Sequence, residues 1–396
     1  GSIAAYQPID HPDTREFLEN RTDGNQLQNL FFGVTVKDAW LEAMVAGDQG
    51  KRELWARVLQ ARNEVGMPYI LFEDNANRGA ADVYRDRGLA IRSSNLCSEI
   101  MLPVAEDESF VCCLSSMNLL YFDEWEHTDA VQTLVQFLDA VMSEFIEKTA
   151  NIPHLGRARA FAVKHRALGL GVLGWHSYLQ SRMVPFGSLM AASLNRRIFK
   201  NIRAAAYEAS ADLSRRYGEP EILEGYGRRN ATLMAVAPTT SSSFILGQVS
   251  QSVEPMRSNY YVRDLAKSVT TYRNPALKQL LVEKGKDTES VWRSVLEHDG
   301  SVQHLGFLTD DEKSVFATFP EVSQLDLIVQ AGQRQEFIDQ GQSLILLILP
   351  YSPTKVLNGL YLEAWRRGVK SLYYQHSVNA AQEFNRDLLT CTVCEA

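Results

Sequence analysis

The sequence predicts an α/β fold with a largely parallel sheet. Two observations carry that expectation: short apolar runs suited to buried strands alternate with longer stretches of helical periodicity, and no fixed-period repeat interrupts the alternation. With 396 residues, 45% of them hydrophobic and 22% charged, the chain has ample material for one large or two medium cores.

Taken in order, Ile3 to Ile9 reads as a strand starting almost at residue 1. It is either an edge strand at a terminus or the sign of a chain that opens inside a larger fold. Residues 35–66 read as helical, with Val36, Trp40, Met44, Leu54, Leu59 and Val65 spaced for apolar faces. Pro68 to Phe72 reads as a strand, Glu73 to Asn77 as a polar turn, 91–100 as a loop, and 110–121 as a strand entering a second loop. Residues 128–148 form an amphipathic helix with Thr128-Asp129 as N-cap. Residues 157–182 read as helical but interrupted by Gly169, Gly171 and Gly174. Each glycine costs a helix about 1 kcal/mol relative to alanine, so the three imply close packing or a break. A helix over 190–217, a strand from Thr232 to Val236, and a hydroxyl-rich loop from Pro238 to Ser243 follow. Late strands at 344–349 and 369–375 flank a helix around 353–367. Apolar periodicity then fades, so 1–376 reads as the folded unit and 377–396 as a flexible tail.

The net charge of -8 and the lack of a basic block argue against a nucleic-acid surface. No run reaches the roughly 18 apolar residues of a membrane helix, and no secretory leader is visible, which points to a cytoplasmic protein without a membrane partner. The five cysteines, Cys97, Cys112, Cys113, Cys391 and Cys394, are odd in number and clustered, unlike a secreted disulfide framework.

Chemistry concentrates at few places. In Asn95-Leu96-Cys97-Ser98-Glu99, an extended loop would turn residues 95, 97 and 99 to one side. That sets an amide, a thiol and a carboxylate together: an orienting group, a sulfur radical or nucleophile, and a general base. The bland alternative is a buried structural cysteine. Cys391-x-x-Cys394 suits dithiol–disulfide cycling. Zinc there would need two further ligands, and no second pair accompanies it, so the expectation is no metal site. Adjacent Cys112 and Cys113 have Cα atoms about 3.8 Å apart, below the roughly 4.4–6.8 Å of ordinary disulfides, so a bridge between them is disfavoured. Tyr373-Tyr374 reads as packing on opposite strand faces, or as a phenol relay if a radical must reach a thiol. Thr239, Thr240, Ser241, Ser242 and Ser243 offer hydroxyls and N–H groups to a phosphate.

Together these motifs resemble the class I ribonucleotide reductase large subunit. The likeness runs through Ala4 to Pro12, Ser94 to Ile100, Cys112-x-Leu114-Ser115-x-x-Asn118-Leu119, Arg166-x-Leu168-Gly169-x-Gly171-Val172, Pro238-Thr239-x-Ser241-Ser242-Ser243, Glu254-Pro255 and Gly368 to Gln375. The resemblance implies an incomplete ten-stranded α/β barrel with a central finger loop carrying Cys97 as the radical cysteine. It implies Glu99 as base at the 3′-hydroxyl, Asn95 as its orienting partner, and Cys112 as one of two thiols that reduce the 2′ position. Tyr373 and Tyr374 become the radical relay, Thr239 to Ser243 the substrate diphosphate cradle, and Cys391 and Cys394 the tail pair recharged by thioredoxin or glutaredoxin. No cofactor is expected in this chain; the radical comes from the dimetal centre of a small subunit.

The likeness also has gaps. The family's second reducing cysteine and allosteric loops lie upstream of Ala4, and Cys113 is an extra cysteine without a role. The expectation is therefore a chain inactive alone that needs a separate N-terminal large-subunit polypeptide beside the small subunit, the reductant and a ribonucleoside diphosphate. A cobalamin-dependent class II reductase, a noncatalytic assembly subunit and a zinc-stabilised binding module are the alternatives.

Overall fold

Strands buried on both faces must be apolar throughout, and this shapes the first sheet. The structure, a computed structural model, describes residues 2–22, 24–265, 268–349 and 352–377. Its strands, in chain order, are β1 (Ala4–Pro8), β2 (Phe31–Val36), β3 (Tyr69–Phe72), β4 (Leu114–Asn118), β5 (Gly169–Leu173), β6 (Tyr260–Leu265), β7 (Ser268–Arg273), β8 (Leu346–Ile348), β9 (Ser371–Leu372) and β10 (Gln375–Ser377). All residues of β2 and β3 are buried, whereas β1 is half-buried at the sheet edge.

β1, β2 and β3 run parallel, and β9 joins β3 antiparallel. The same stretch of chain continues into β10, which pairs parallel with β8. An extended segment from Thr232 to Val236 bridges Leu170 of β5 on one side and Gln342 on the other, and β5 pairs parallel with β4. Neighbour follows neighbour from β1 through β3, β9–β10, 342–348, 232–236 and β5 to β4. Among the described residues this run does not close into a barrel. The β6–β7 hairpin stands apart, beside a smaller core of Leu277, Leu281, Trp292, Val295, Val302 and Phe316.

Helices cover the run. Ala130–Lys148 packs on the long helix Leu189–Tyr217, and Gln324–Gln335 sits against both that helix and Thr354–Arg366. The main core joins these helices to the strands through residues such as Phe32, Leu170, Trp175, Ile198 and Leu346.

Several expectations change. Residues 35–66 hold the end of β2 and two helices, Asp38–Ala46 and Gln49–Val65, because Gly47 turns left-handed at φ 117° and ends the first. Glu73–Arg78 is a helix, not a turn. The glycine-broken helix over 157–182 is a helix (Gly156–His165), then β5, then a helix (Trp175–Ser181). Close approach is the reason: a Cβ on Gly171 would lie 2.4 Å from the Ala235 carbonyl oxygen. The hydroxyl-rich loop turns helical at Thr240 and runs to Ile245. The elements between 260 and 335 escaped the sequence reading altogether.

Gly171→Ala should therefore destabilise the fold by about 1–3 kcal/mol in urea unfolding, the usual penalty of overpacking. Gly156 is helical and nothing lies within 4 Å of its Cβ position, so Gly156→Ala is the control. It should be neutral or gain up to about 1 kcal/mol. Equal losses at both positions would contradict the packing account.

Candidate active site

The segment around Cys97 is a closed turn. Asn95 N–H donates to the Ile100 carbonyl (3.3 Å), the Ile100 N–H donates to Asn95 Oδ1 (3.1 Å), and Ser98 N–H donates to the Asn95 carbonyl (3.2 Å). Ser98 takes φ 66° in the left-handed region. The extended-loop premise is thus corrected: the chain folds back on itself between Asn95 and Ile100, so side chains do not alternate along a strand here. The Asn95 side chain also hydrogen-bonds the Glu99 carboxylate.

Segment 339–343 holds this turn from below. Gly341 N–H donates to the Glu99 carbonyl (2.7 Å), Met101 N–H donates to Gln340 Oε1 (3.0 Å), and Ser371 Oγ donates to the Ser98 carbonyl (3.0 Å). Ser343 Oγ lies 2.5 Å from the Cys97 carbonyl oxygen and 3.1 Å from Glu99 Oε2. The supporting segment is itself fixed. Lys370 Nζ reaches four carbonyl oxygens, those of Gly79 (2.8 Å), Ile338 (3.1 Å), Asp339 (2.6 Å) and Gln340 (2.7 Å). Asp339 Oδ2 accepts from the N–H groups of Leu233 and Met234. Burial pulls the Lys370 ammonium down to about 7, while the ring of carbonyls favours three N–H donors over two.

Glu99 is only 2% exposed. Burial lifts its carboxyl to about 7, against the opposing hydrogen bonds from Asn95 and Ser343. Cys112 is exposed as a residue, yet its thiol lies among enclosing protein atoms. That enclosure, with the Glu99 charge and Cys113, pushes its thiol up to about 12. Cys112 therefore keeps its proton at neutral pH. Cys112 and Cys113 are both thiols, with no bridge between them. Cys113 points elsewhere, its Sγ 3.7 Å from the Leu138 carbonyl.

Tyr373 and Tyr374 do not alternate across a strand. They occupy the break between β9 and β10, where pairing passes from β3 to β8. Their rings lie 4.2 Å apart, centroid to centroid. Tyr69 of β3 packs on both, at 4.9 Å and 5.2 Å. Burial holds all three phenols above their ordinary range, Tyr374 at about 12. The Cys97 thiol acts electrostatically on Tyr6, Tyr69, Tyr373 and Tyr374.

Two expected phosphate groups turn inward. Thr239 Oγ1 accepts from Ser252 N–H (2.8 Å), and Ser243 Oγ donates to the Thr240 carbonyl (3.0 Å). Ser241 and Ser242 stay exposed, and Thr240 half-buried. Cys391 and Cys394 lie outside the described residues. Among the described residues no cluster suits a metal ion, and no helix is long and apolar enough to cross a membrane. Sequence reasoning missed Tyr6, Tyr69, Ser343 and Lys370. For Ser343 a signal existed: Asp339 to Ser343 is polar, yet it leads straight into the longest apolar run.

The barrel-domain model of ribonucleotide reductase matches residues 48–222 and 220–375. The chain belongs to the ribonucleotide reductase large-subunit family. It is 44% identical over 330 residues to the ribonucleoside-diphosphate reductase large subunit of Invertebrate iridescent virus 3, covering 82% of this chain and 52% of that one. With the large chain of Neurospora crassa it shares 31% identity over 458 residues, covering 96% and 49%. It thus spans about half the length of these two relatives. A Frog virus 3 relative, 39% identical, aligns with all of this chain and 75% of its own. The solved class Id ribonucleotide reductase alpha subunit of Actinobacillus ureae superposes with TM-score 0.92 at 56% identity, covering 96% of this chain and 72% of that one.

Lys370→Met removes the donor that ties the reductase's supporting segment to Gly79. Gln335 Nε2 still serves the Ile338 and Gln340 carbonyls, so those of Gly79 and Asp339 lose their donor, at about 1–3 kcal/mol each. Thermal and urea unfolding should show a loss of at least about 2 kcal/mol. A neutral substitution would mean that the clamp carries no weight.

Proposed function

We propose that this chain is the catalytic C-terminal part of a class I ribonucleoside-diphosphate reductase large subunit, which reduces ribonucleotides to deoxyribonucleotides for DNA synthesis. One observation carries the reading. A thiol and a buried carboxylate share one turn, the carboxylate acts on a second, protonated thiol, and a cluster of packed tyrosines lies close by. In family terms the turn is the finger loop of an incomplete ten-stranded barrel.

Cys97, as a thiyl radical, takes the ribose 3′ hydrogen, forming S–H and leaving a carbon radical. Glu99 takes the 3′-hydroxyl proton, and Asn95 orients that exchange. Cys112 supplies one of the two thiols that reduce the 2′ position, and its high pKa suits a group that delivers hydrogen rather than acting as thiolate. The buried phenols of Tyr373 and Tyr374 resist ionisation, so each must lose its electron and proton together. Centroid spacing of 4.2 Å suits that handover. Thr240, Ser241 and Ser242 offer the outward groups for the substrate diphosphate, with Thr239 and Ser243 shaping the cradle.

The partners of this reading are a small subunit whose dimetal centre supplies the radical, the N-terminal large-subunit polypeptide bearing the second reducing thiol, and thioredoxin or glutaredoxin acting on Cys391 and Cys394. The cytoplasm is where such reductants operate. The tyrosine stack favours a radical arriving from another subunit over local generation by cobalamin.

The test uses the complete reductase. Cys97→Ser and Tyr373→Phe should each abolish deoxyribonucleotide formation without changing the unfolding midpoint. Turnover that survives Cys97→Ser would instead identify a noncatalytic assembly subunit.

Glu99 adds a pH signature. A base must be ionised, and burial raises this one to about 7. The kcat/KM profile should fall about tenfold per pH unit below that value. A profile flat down to pH 5 would remove Glu99 from the base role.

A further inference from the structure

Ser343 is fully buried, and its backbone N–H is fixed by the Val236 carbonyl at 2.9 Å. Its hydroxyl touches two groups of the turn at once: the Cys97 carbonyl oxygen (2.5 Å) and Glu99 Oε2 (3.1 Å). A hydroxyl carries one proton and two lone pairs, whereas a carbonyl oxygen and an ionised carboxylate only accept. With Glu99 ionised, Ser343 can satisfy only one of them. With Glu99 protonated, both contacts become hydrogen bonds: the carboxylic O–H donates to Ser343 Oγ, and the Ser343 O–H donates to the Cys97 carbonyl.

We propose that Ser343 is a positioning residue that couples the proton on Glu99 to the peptide carrying Cys97. While Glu99 is ionised, the Ser343 proton serves the carboxylate and the Cys97 carbonyl goes without this donor. When Glu99 takes the proton of the substrate hydroxyl, Ser343 rotates its O–H onto the Cys97 carbonyl and tightens the turn. No covalent bond changes at Ser343; a single hydrogen bond is redirected. The inference rests on Glu99 as the base.

The ionisable groups that act with Glu99 are Tyr6 from β1, Cys112 before β4 and Tyr373 after β9, with Cys97 in the same turn. Burial keeps Tyr6, Cys112 and Tyr373 protonated near pH 7. Neutral donors, the Glu99 backbone N–H first and then the Asn95 and Ser343 side chains, are therefore what favours the ionised side chain against burial. The bond from Ser343 to the ionised carboxylate is charge-assisted and outweighs the neutral bonds Ser343 makes when Glu99 is protonated, so removing this donor makes ionisation harder.

The experiment compares kcat/KM against pH for wild-type and Ser343→Ala in the complete reductase. The acid limb should move up by about half to one pH unit, so the variant is slowed several-fold at pH 6 and little at pH 8.5. An unmoved limb, a downward shift, or an equal loss at every pH overturns the proposal. A second readout needs no turnover: the infrared carboxyl band of Glu99, assigned as the band lost in Glu99→Gln, should titrate at higher pH in Ser343→Ala. An unshifted titration also overturns it. The two levels separate cleanly. An active Glu99→Gln refutes the base assignment itself, whereas an inactive Glu99→Gln with an unmoved Ser343→Ala limb refutes only the coupling.

Discussion

The docking of the Asn95–Ile100 turn onto residues 339–343 is the constraint on which the rest of the site depends. A six-residue turn has too few internal hydrogen bonds to hold a thiol and a carboxylate in fixed relation. Here the missing stiffness comes from outside, through Gln340, Gly341, Ser343 and Ser371. That platform is irregular backbone in a buried position, so its carbonyls need donors. Lys370 supplies them, and Asp339 ties the platform to the 232–236 segment. The buried Lys370 amine thus positions backbone through four carbonyls, while the Asp339 carboxylate also acts on it.

The same arrangement explains how neutral groups can do acid–base work. Glu99 is pushed toward its protonated form by burial alone, and hydrogen bonds restrain that push. Cys112 is pushed the same way, further, by the nearby carboxylate. At neutral pH one group can accept a proton while the other holds its own. Burial acts first on both, a pattern common where acid and base roles must coexist.

The tyrosines show how topology creates chemistry. Between β9 and β10 the chain leaves one strand partner for another, and two residues are freed from strict alternation. Both rings then face the same neighbour, Tyr69, instead of opposite sides of a sheet. The break in the ladder is what allows consecutive phenols to pack against each other, tilted at 51°.

Much was legible from the residues alone. The alternation of apolar runs and helical periods pointed to the α/β class, and β1, β3, β4, β8 and β9 fell where strands were read, whereas β2, β5, β6 and β7 did not. Asn95, Cys97, Glu99, Cys112 and the tyrosine pair were recognisable because each carries a distinctive functional group in a motif. Local pattern failed where a long-range contact decided the outcome. Gly169 and Gly171 read as helix breakers, but they form a strand because the 232–236 segment approaches too closely for a side chain. Thr239 and Ser243 read as open hydroxyls, but their neighbours in the fold consume them. Ser343 carries no motif, and Lys370 sits in one without a chemical signature of its own; their roles exist only because Ser343 meets Cys97, 246 positions away, and Lys370 meets Gly79, 291 away. Sequence by itself determined which chemical groups this protein has. Tertiary structure decided which of them touch, since burial and hydrogen-bond partners are properties of packed neighbours and not of the chain.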